Sequence, residues 1–323
     1  MRTRQFLLTL LLAAMGTSAF AQGAAGFPDR PVRIVVPLGA GGLADISFRL
    51  VATKLSELLG KPVVVENMPG AGGIAAAQSV MRSKPDGHTL LVVTNGTSTS
   101  PSLFKNLPYD PLKDFSPVAF AAYFDLVILA NAEGRHKTLG DLLAAARAQP
   151  GKLNIATINP GSTQNLSAEL FRSVAGIDIA IVPFKSSPEA MNALLADRVD
   201  AVFESYASSK GLVDGGKLRA LASTGGKRSG YLPAVPSVKE AGVPAYEVVG
   251  WQGLAVPVGT PPEIIALLNR HMNTIVAMPD FKKRMLDLGT DAYAGTPEDL
   301  RARFTSDVAK WAAVIKQVGI QPQ

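Results

Sequence analysis

Val32-Arg33-Ile34-Val35-Val36-Pro37-Leu38-Gly39-Ala40-Gly41-Gly42-Leu43-Ala44-Asp45 is the stretch that decides the fold. Residues 32–36 are mostly β-branched and read as a buried strand. Pro37 ends it, because proline has no N–H to give to a ladder. Glycines follow, and then residues 44–59 place Ile46, Leu50, Val51, Leu55, Leu58 and Leu59 at helical spacing, with Gly60 as the stop. The same order repeats at once. Residues 63–65 form the next strand, Gly70-Ala71-Gly72-Gly73 the next turn, residues 74–81 the next helix and residues 90–93 the third strand. Strands alternating with helices through short links predict an α/β fold with a parallel sheet.

Further along, Pro108-Tyr109-Asp110-Pro111 marks a loop, and residues 118–130 are long, apolar and strand-like. A second α/β set follows, with helices at 139–148, 167–175 and 189–196 and strands at 155–157, 179–182, 201–203 and 218–222. Residues 248–256 read as a second long strand-like crossing. The chain then turns helical at 264–276, 281–288 and 300–318, the last helix opened by Thr296 as N-cap and Pro297. Two α/β sets joined by two crossings predict a first lobe of 27–123 with 250–323, a second lobe of 124–249, and a cleft between them. Ligands of open α/β sheets bind outside the carboxyl ends of the strands, where both glycine turns lie.

Composition narrows the function. A length of 323 residues suits about two domains. Apolar residues at 47 % and charged residues at 18 % exclude disorder. The net charge of +6 is spread out, its densest run being Lys282-Lys283-Arg284, so no nucleic-acid partner is expected. The chain has no cysteine, which removes disulfides, zinc–thiolate sites, iron–sulfur clusters and cysteine nucleophiles. His88, His136 and His271 are scattered without metal-ligand spacing, so neither a metal nor a cofactor is expected. At the start, Arg2 and Arg4 precede an apolar run at 6–14 and the small-x-small site Ala19-Phe20-Ala21. This is the plan of a secretory signal peptide of residues 1–21 cleaved after Ala21, and it predicts a periplasmic protein. The run is far below the ~20 residues that span a bilayer.

Gly39-Ala40-Gly41-Gly42-Leu43-Ala44 fits the G-x-G-x-x-A form of a dinucleotide fingerprint. Pro37, export away from NAD and ATP, and the second copy 31 residues on all speak against that reading. The physics of the turn is more general: glycine lets backbone approach a ligand, and the helix that follows offers free N–H groups to any anion, carboxylate included. Both turns can equally be tight turns without a ligand. Pro160-Gly161-Ser162-Thr163-Gln164-Asn165 is a third candidate, either an anion site or a plain helix cap. The G-x-S-x-G hydrolase elbow, the H-E-x-x-H zincin pair and the complete P-loop do not occur. Asp45 and Glu66 can be drawn as a carboxylate pair, but Asp45 in a first helical turn is already explained by the helix dipole. The chain is read as no enzyme.

A family resemblance extends this. The motifs that carry it include Phe27-Pro28-x-Arg30-Pro31-Val32, Gly41-Gly42-x-x-Asp45, Glu66-Asn67-x-Pro69-Gly70-Ala71-x-Gly73 and Pro85-Asp86-Gly87-x-Thr89-Leu90-Leu91. They continue through Tyr109-Asp110-Pro111-x-Lys113-Asp114-Phe115, Pro183-Phe184-Lys185, Gly216-Lys217-Leu218-Arg219-Ala220, Gly250-Trp251-x-Gly253 and Pro257-x-Gly259-Thr260-Pro261. In this order, along the whole mature chain, they resemble the Bug-type periplasmic solute receptors, the substrate-binding components of tripartite tricarboxylate transporters.

The resemblance implies a two-lobed type II periplasmic-binding-protein fold that closes on a small organic acid, a mono-, di- or tricarboxylate or an amino acid. It implies that one carboxylate is held, with ordered waters, by Leu38-Gly39-Ala40-Gly41-Gly42, Asp45 and Thr94-Asn95-Gly96-Thr97-Ser98. The far end would meet Gly161-Ser162-Thr163, Phe184-Lys185 and Glu204-Ser205-Tyr206. Phe184, Ser186, Asn159-Pro160 and Met68 depart from the usual pattern of Tyr, Gly, a glycine and Arg, so the ligand is not transferable. Expected partners are membrane transporter subunits, or a membrane histidine kinase if the protein is a sensor, with the receptor itself a monomer. A secreted enzyme using Asp45 or Glu204 is the remote alternative.

Overall fold

The computed structural model describes residues 26–317 and 320–322. The expected signal peptide and its cleavage after Ala21 lie outside the described residues. β1 (Val32–Val36) is almost wholly buried. α1 (Leu43–Leu59) ends at Gly60, whose φ of 66° lets its N–H reach back to Ser56 O. β2 (Val63–Asn67), α2 (Ile74–Met81) and β3 (Thr89–Thr94) complete the first set, with β2 and β3 parallel to β1 on either side.

The next nine residues, read from sequence as a loop, form α3 (Asn95–Leu103). Its sequence is rich in Ser and Thr and contains Pro101, a weak helix by propensity. It stands because Thr94 and Thr97 make a reciprocal capping box, Thr99 and Ser100 donate to Gly96 O, and Leu103 is buried.

β4 (Phe115–Asn131) is the long crossing. The chain goes on through α4 (Leu139–Ala148), β5 (Asn154–Ile158), α5 (Thr163–Val174), β6 (Ala180–Phe184), α6 (Ser187–Leu195) and β7 (Ala201–Ser205). α7 (Tyr206–Asp214) and β8 (Leu218–Ser223) close the second set. β9 (Val249–Pro257) returns to the first, followed by α8 (Pro262–Ala277), α9 (Pro279–Asp287), β10 (Thr290–Ala292) and α10 (Pro297–Gln317). The sheet order is β2-β1-β3-β9-β4-β7-β5-β6, with β8 and β10 also on β4. β4 pairs with β9 as far as Asp125↔Val249 and with β7 from Leu126↔Ser205, so its partner changes between adjacent residues. α7 and β10 are further departures from the sequence reading. α7 is nine residues long, polar, and started by the Ser205 cap, and β10 is only three residues long.

Each half buries both faces of its part of the sheet. Phe48, Val51, Leu268 and Met272 cover one face of the first half, and Phe120, Trp251 and Phe304 the other. Phe171, Phe203 and Tyr246 fill the second half from one side, and Met191, Leu194 and Val202 from the other. α10 bridges them: Leu300 and Phe304 pack on the first half, Trp311 and Ile315 on the second. At its middle, buried Asp307 accepts from Trp251 Nε1 at 2.6 Å and pairs with Arg303 Nε at 3.0 Å. Asp307→Ala orphans the indole N–H and breaks the pair. It is expected to cost about 3–5 kcal/mol and to lower the thermal midpoint by roughly 6–20 °C. A midpoint within a degree of wild type in differential scanning calorimetry would show the network to be dispensable.

Candidate functional site

Where the carboxyl ends of β1 and β3 face those of β5 and β7, a cavity opens between the halves. Its first wall is Leu38, Gly39, Gly42, Leu43, Ala44 and Thr94. Its second is Ile158, Thr163, Gln164 and Ser187, with Phe124 and Gln252 at the back. No side chain of this lining carries a charge.

The first wall is a helix start without a side-chain cap. Gly42 is the N-cap of α1, so the amides of Leu43 and Ala44 have no partner among the described residues. Asp45 does not face the cavity. Its Oδ2 accepts the Gly41 amide at 3.0 Å, and its Oδ1 accepts from Arg49 Nε at 2.9 Å. Burial pushes its carboxyl up, but the hydrogen bonds from Arg49 and Gly41 outweigh that and hold it below its usual value. Asp45 therefore fixes the turn whose φ of 80° at Gly41 calls for glycine. Ala40 is exposed. Within 94–98, Thr94 reaches the cavity, while Gly96 and Thr97 line an adjoining space shared with Gly161 and Ser162. Asn95 turns away and accepts the Trp251 amide at 2.8 Å. Ser98 is buried with its hydroxyl unpartnered.

The second wall is made by the starts of α5 and α6. Ser162 caps α5, accepting from Asn165 N at 3.1 Å and donating to Ile158 O at 2.8 Å, so its hydroxyl is fully engaged. Thr163 and Gln164 follow it onto the cavity wall, and their amides have no partner among the described residues. Glu204 lies one layer behind, 0 % exposed, with Oε1 accepting from Gln164 Nε2 at 3.0 Å and from the Ser205 amide at 2.7 Å. Burial raises its pKa, more than the hydrogen bonds from Ser187, Ser205 and Gln164 lower it.

Phe184 packs against the core and Lys185 is exposed; its carbonyl, not its amine, meets Gly39. Ser205 caps α7. Tyr206 is turned away, stacked on Tyr231 at 5.1 Å with its hydroxyl donating to Asp214. The second glycine turn is a contact between halves: Gly72 O accepts from Ser100 Oγ at 3.1 Å and Tyr109 OH at 2.7 Å, and its amide points to Pro160 O at 3.5 Å.

Sequence reasoning missed Phe124, Ile158, Ser187 and Gln252, and named Gln164 only within the third candidate turn. Gln252 had a signal, as the one polar side chain in the apolar run of β9. Phe124 had another: Gly250 opposite it has no Cβ, and a Cβ there would lie 2.4 Å from the ring.

Residues 47–320 match the family described as tripartite tricarboxylate transporter family receptor. The chain belongs to this family of solute receptors. Protein BugT of Bordetella pertussis is 33 % identical over 97 % of this chain and 98 % of its own. An R. palustris protein solved with adipate is 33 % identical, covers 92 % of this chain and 100 % of its own, and superposes with a TM-score of 0.89. MatC from Rhodopseudomonas palustris, with bound malate, is also 33 % identical, over 90 % and 100 % of the two chains, at 0.83. The receptor thus has the two-lobed periplasmic-binding-protein fold.

The lobes touch across this receptor's cavity. A Cβ at Gly39 would lie 2.9 Å from both Lys185 O and Ser186 Cβ, while the backbone of Gly39 itself suits any residue. Gly39→Ala is expected to keep the unfolding midpoint but hold the lobes apart, giving a larger radius of gyration than wild type in small-angle scattering. Identical curves would remove Gly39 from the closing contact.

Proposed function

We propose that the protein is an exported, monomeric receptor that captures a small dicarboxylate between its lobes and presents it to the membrane subunits of a tripartite tricarboxylate transporter, without altering it. The observation that carries this reading is the pair of opposed helix starts. Free amides of Leu43 and Ala44 face those of Thr163 and Gln164 across a cavity with no cationic side chain. Each helix start carries about half a positive charge, so two anionic ends fit and one does not use both walls. The relatives solved with adipate and malate hold acids of this class. Export is supported by the opening residues 1–21, and no helix among the described residues is long and apolar enough to cross a membrane. The lobes in this reading are 27–123 with 250–323 and 124–249, with the end of α10 reaching over to pack on the second, and β4 changes partner between them at Asp125 and Leu126.

Thermal unfolding against a panel of mono-, di- and tricarboxylates tests the reading. A dicarboxylate at ~1,000 times its Kd stabilises by about 4 kcal/mol, a rise of roughly 8–16 °C. No rise with any acid, or turnover of one by the purified protein, would overturn it.

The second wall gives a finer test. Ser162→Ala removes a cap, at about 1 kcal/mol of stability and with little effect on affinity. Thr163→Ala removes a hydroxyl on the cavity wall, and a lost hydrogen bond to a carboxylate of about 1.5–3 kcal/mol weakens binding roughly 10- to 150-fold. Titration calorimetry of both variants separates the roles, and the reverse pattern would place the ligand elsewhere.

A further inference from the structure

Glu204 ends β7 one layer behind the cavity, and its carboxyl is half satisfied. Oε1 has two donors, whereas Oε2 has no hydrogen-bond partner among the described residues, and neither has the buried Ser187 Oγ. Ser187 approaches Glu204 closely enough to favour its ionised form and is itself part of the cavity wall. The direction of the Ser187 O–H therefore depends on one proton. With Glu204 ionised, Oε2 can only accept, so it draws the Ser187 O–H and leaves lone pairs facing the cavity. With Glu204 neutral, Oε2–H donates to Ser187 Oγ, and the serine O–H is free to donate into the cavity.

Only the second arrangement suits a carboxylate at the starts of α5 and α6. We propose, on the reading above that the cavity takes a dicarboxylate, that Glu204 takes up one proton from solvent at Oε2 as the lobes close, turning Ser187 into a donor to the ligand's distal carboxylate. The charged groups on the elements around it are engaged elsewhere. Glu169 pairs with Arg172 on α5 at 2.6 Å, Glu189 of α6 accepts the Lys185 amide at 3.3 Å, Lys210 pairs with Asp214 on α7, and Asp125 of β4 accepts from Ser229 at 3.0 Å. Burial already favours neutral Glu204, and the arriving anion favours it further. Binding therefore draws a proton, and affinity is highest in acid and falls as pH rises through the ligand-free value.

Titration calorimetry with adipate and hexanoate at pH 6, 7 and 8, in phosphate and in Tris, reads the proton directly. Adipate is expected to bind with uptake of up to one proton and to weaken by up to about tenfold per pH unit. Glu204→Gln, the isostere of the neutral acid, should abolish uptake and hold at pH 8 the affinity that wild type reaches only in acid. Ser187→Ala, which leaves Glu204 in place, should weaken adipate about tenfold or more and hexanoate much less. Adipate binding with one affinity at all three pH values and no proton uptake would overturn the proposal, as would a Glu204→Gln protein with the wild-type pH slope. Failure of every acid to bind would overturn the receptor reading, and this proposal with it.

Discussion

One strand must satisfy two sheets, and the rest of the structure follows from that. β4 pairs with β9 up to Asp125 and with β7 from Leu126 on, with no residue between to absorb the change. Thr224 secures the switch. Its hydroxyl accepts the Leu126 amide at 2.8 Å and donates to Val248 O at 2.9 Å, so it ties the two chain passages together at the point where they leave one half for the other. Asn95 does the same from the first half by accepting the Trp251 amide. The cavity lies directly beside this switch through Phe124.

The cavity is lined by no charged side chain, so what it offers an anion is the two helix starts. A lysine or arginine in such a place must give up about 2 kcal/mol of rotamer entropy to hold an anion, whereas a helix start is already fixed by the fold. The arrangement has a structural requirement, since a bare helix start must be kept in shape by something other than a ligand. Asp45 meets it from behind, taking the Gly41 amide and anchored in turn by Arg49. The acid that resemblance assigned to ligand binding thus shapes the turn, and the amides beyond it remain free.

Much of this was legible in the sequence. The strand–glycine–helix opening, its repeat and both long crossings are strong hydrophobic patterns, and the structure forms each of them. α3 and α7 were not legible because their sequences are polar and weakly helical, and hydroxyl caps and burial hold them instead. The cavity was legible where backbone makes it, at Leu38, Gly39 and Gly42, and at Thr94 and Thr163. It was not legible where a side chain's orientation decides. Ser162 and Thr163 are adjacent hydroxyls, yet one is consumed as a cap and the other reaches the wall, a difference set by helix phase that residue type does not carry. Gln164, Ser187 and Gln252 belong to the same class.

The departures of the second lobe from the family pattern gain a physical meaning from the opposite wall. Ser186, one of the positions at which the resemblance breaks, caps α6 by accepting the Glu189 amide at 3.4 Å. Its Cβ faces Gly39, where even one added carbon would come within 2.9 Å. Pro188 stands in the same relation to Gly41, 3.0 Å from where a Cβ would be. The bulk added on the second lobe is thus accommodated because the first lobe presents bare backbone. The closeness of that contact sets how far the two walls can approach.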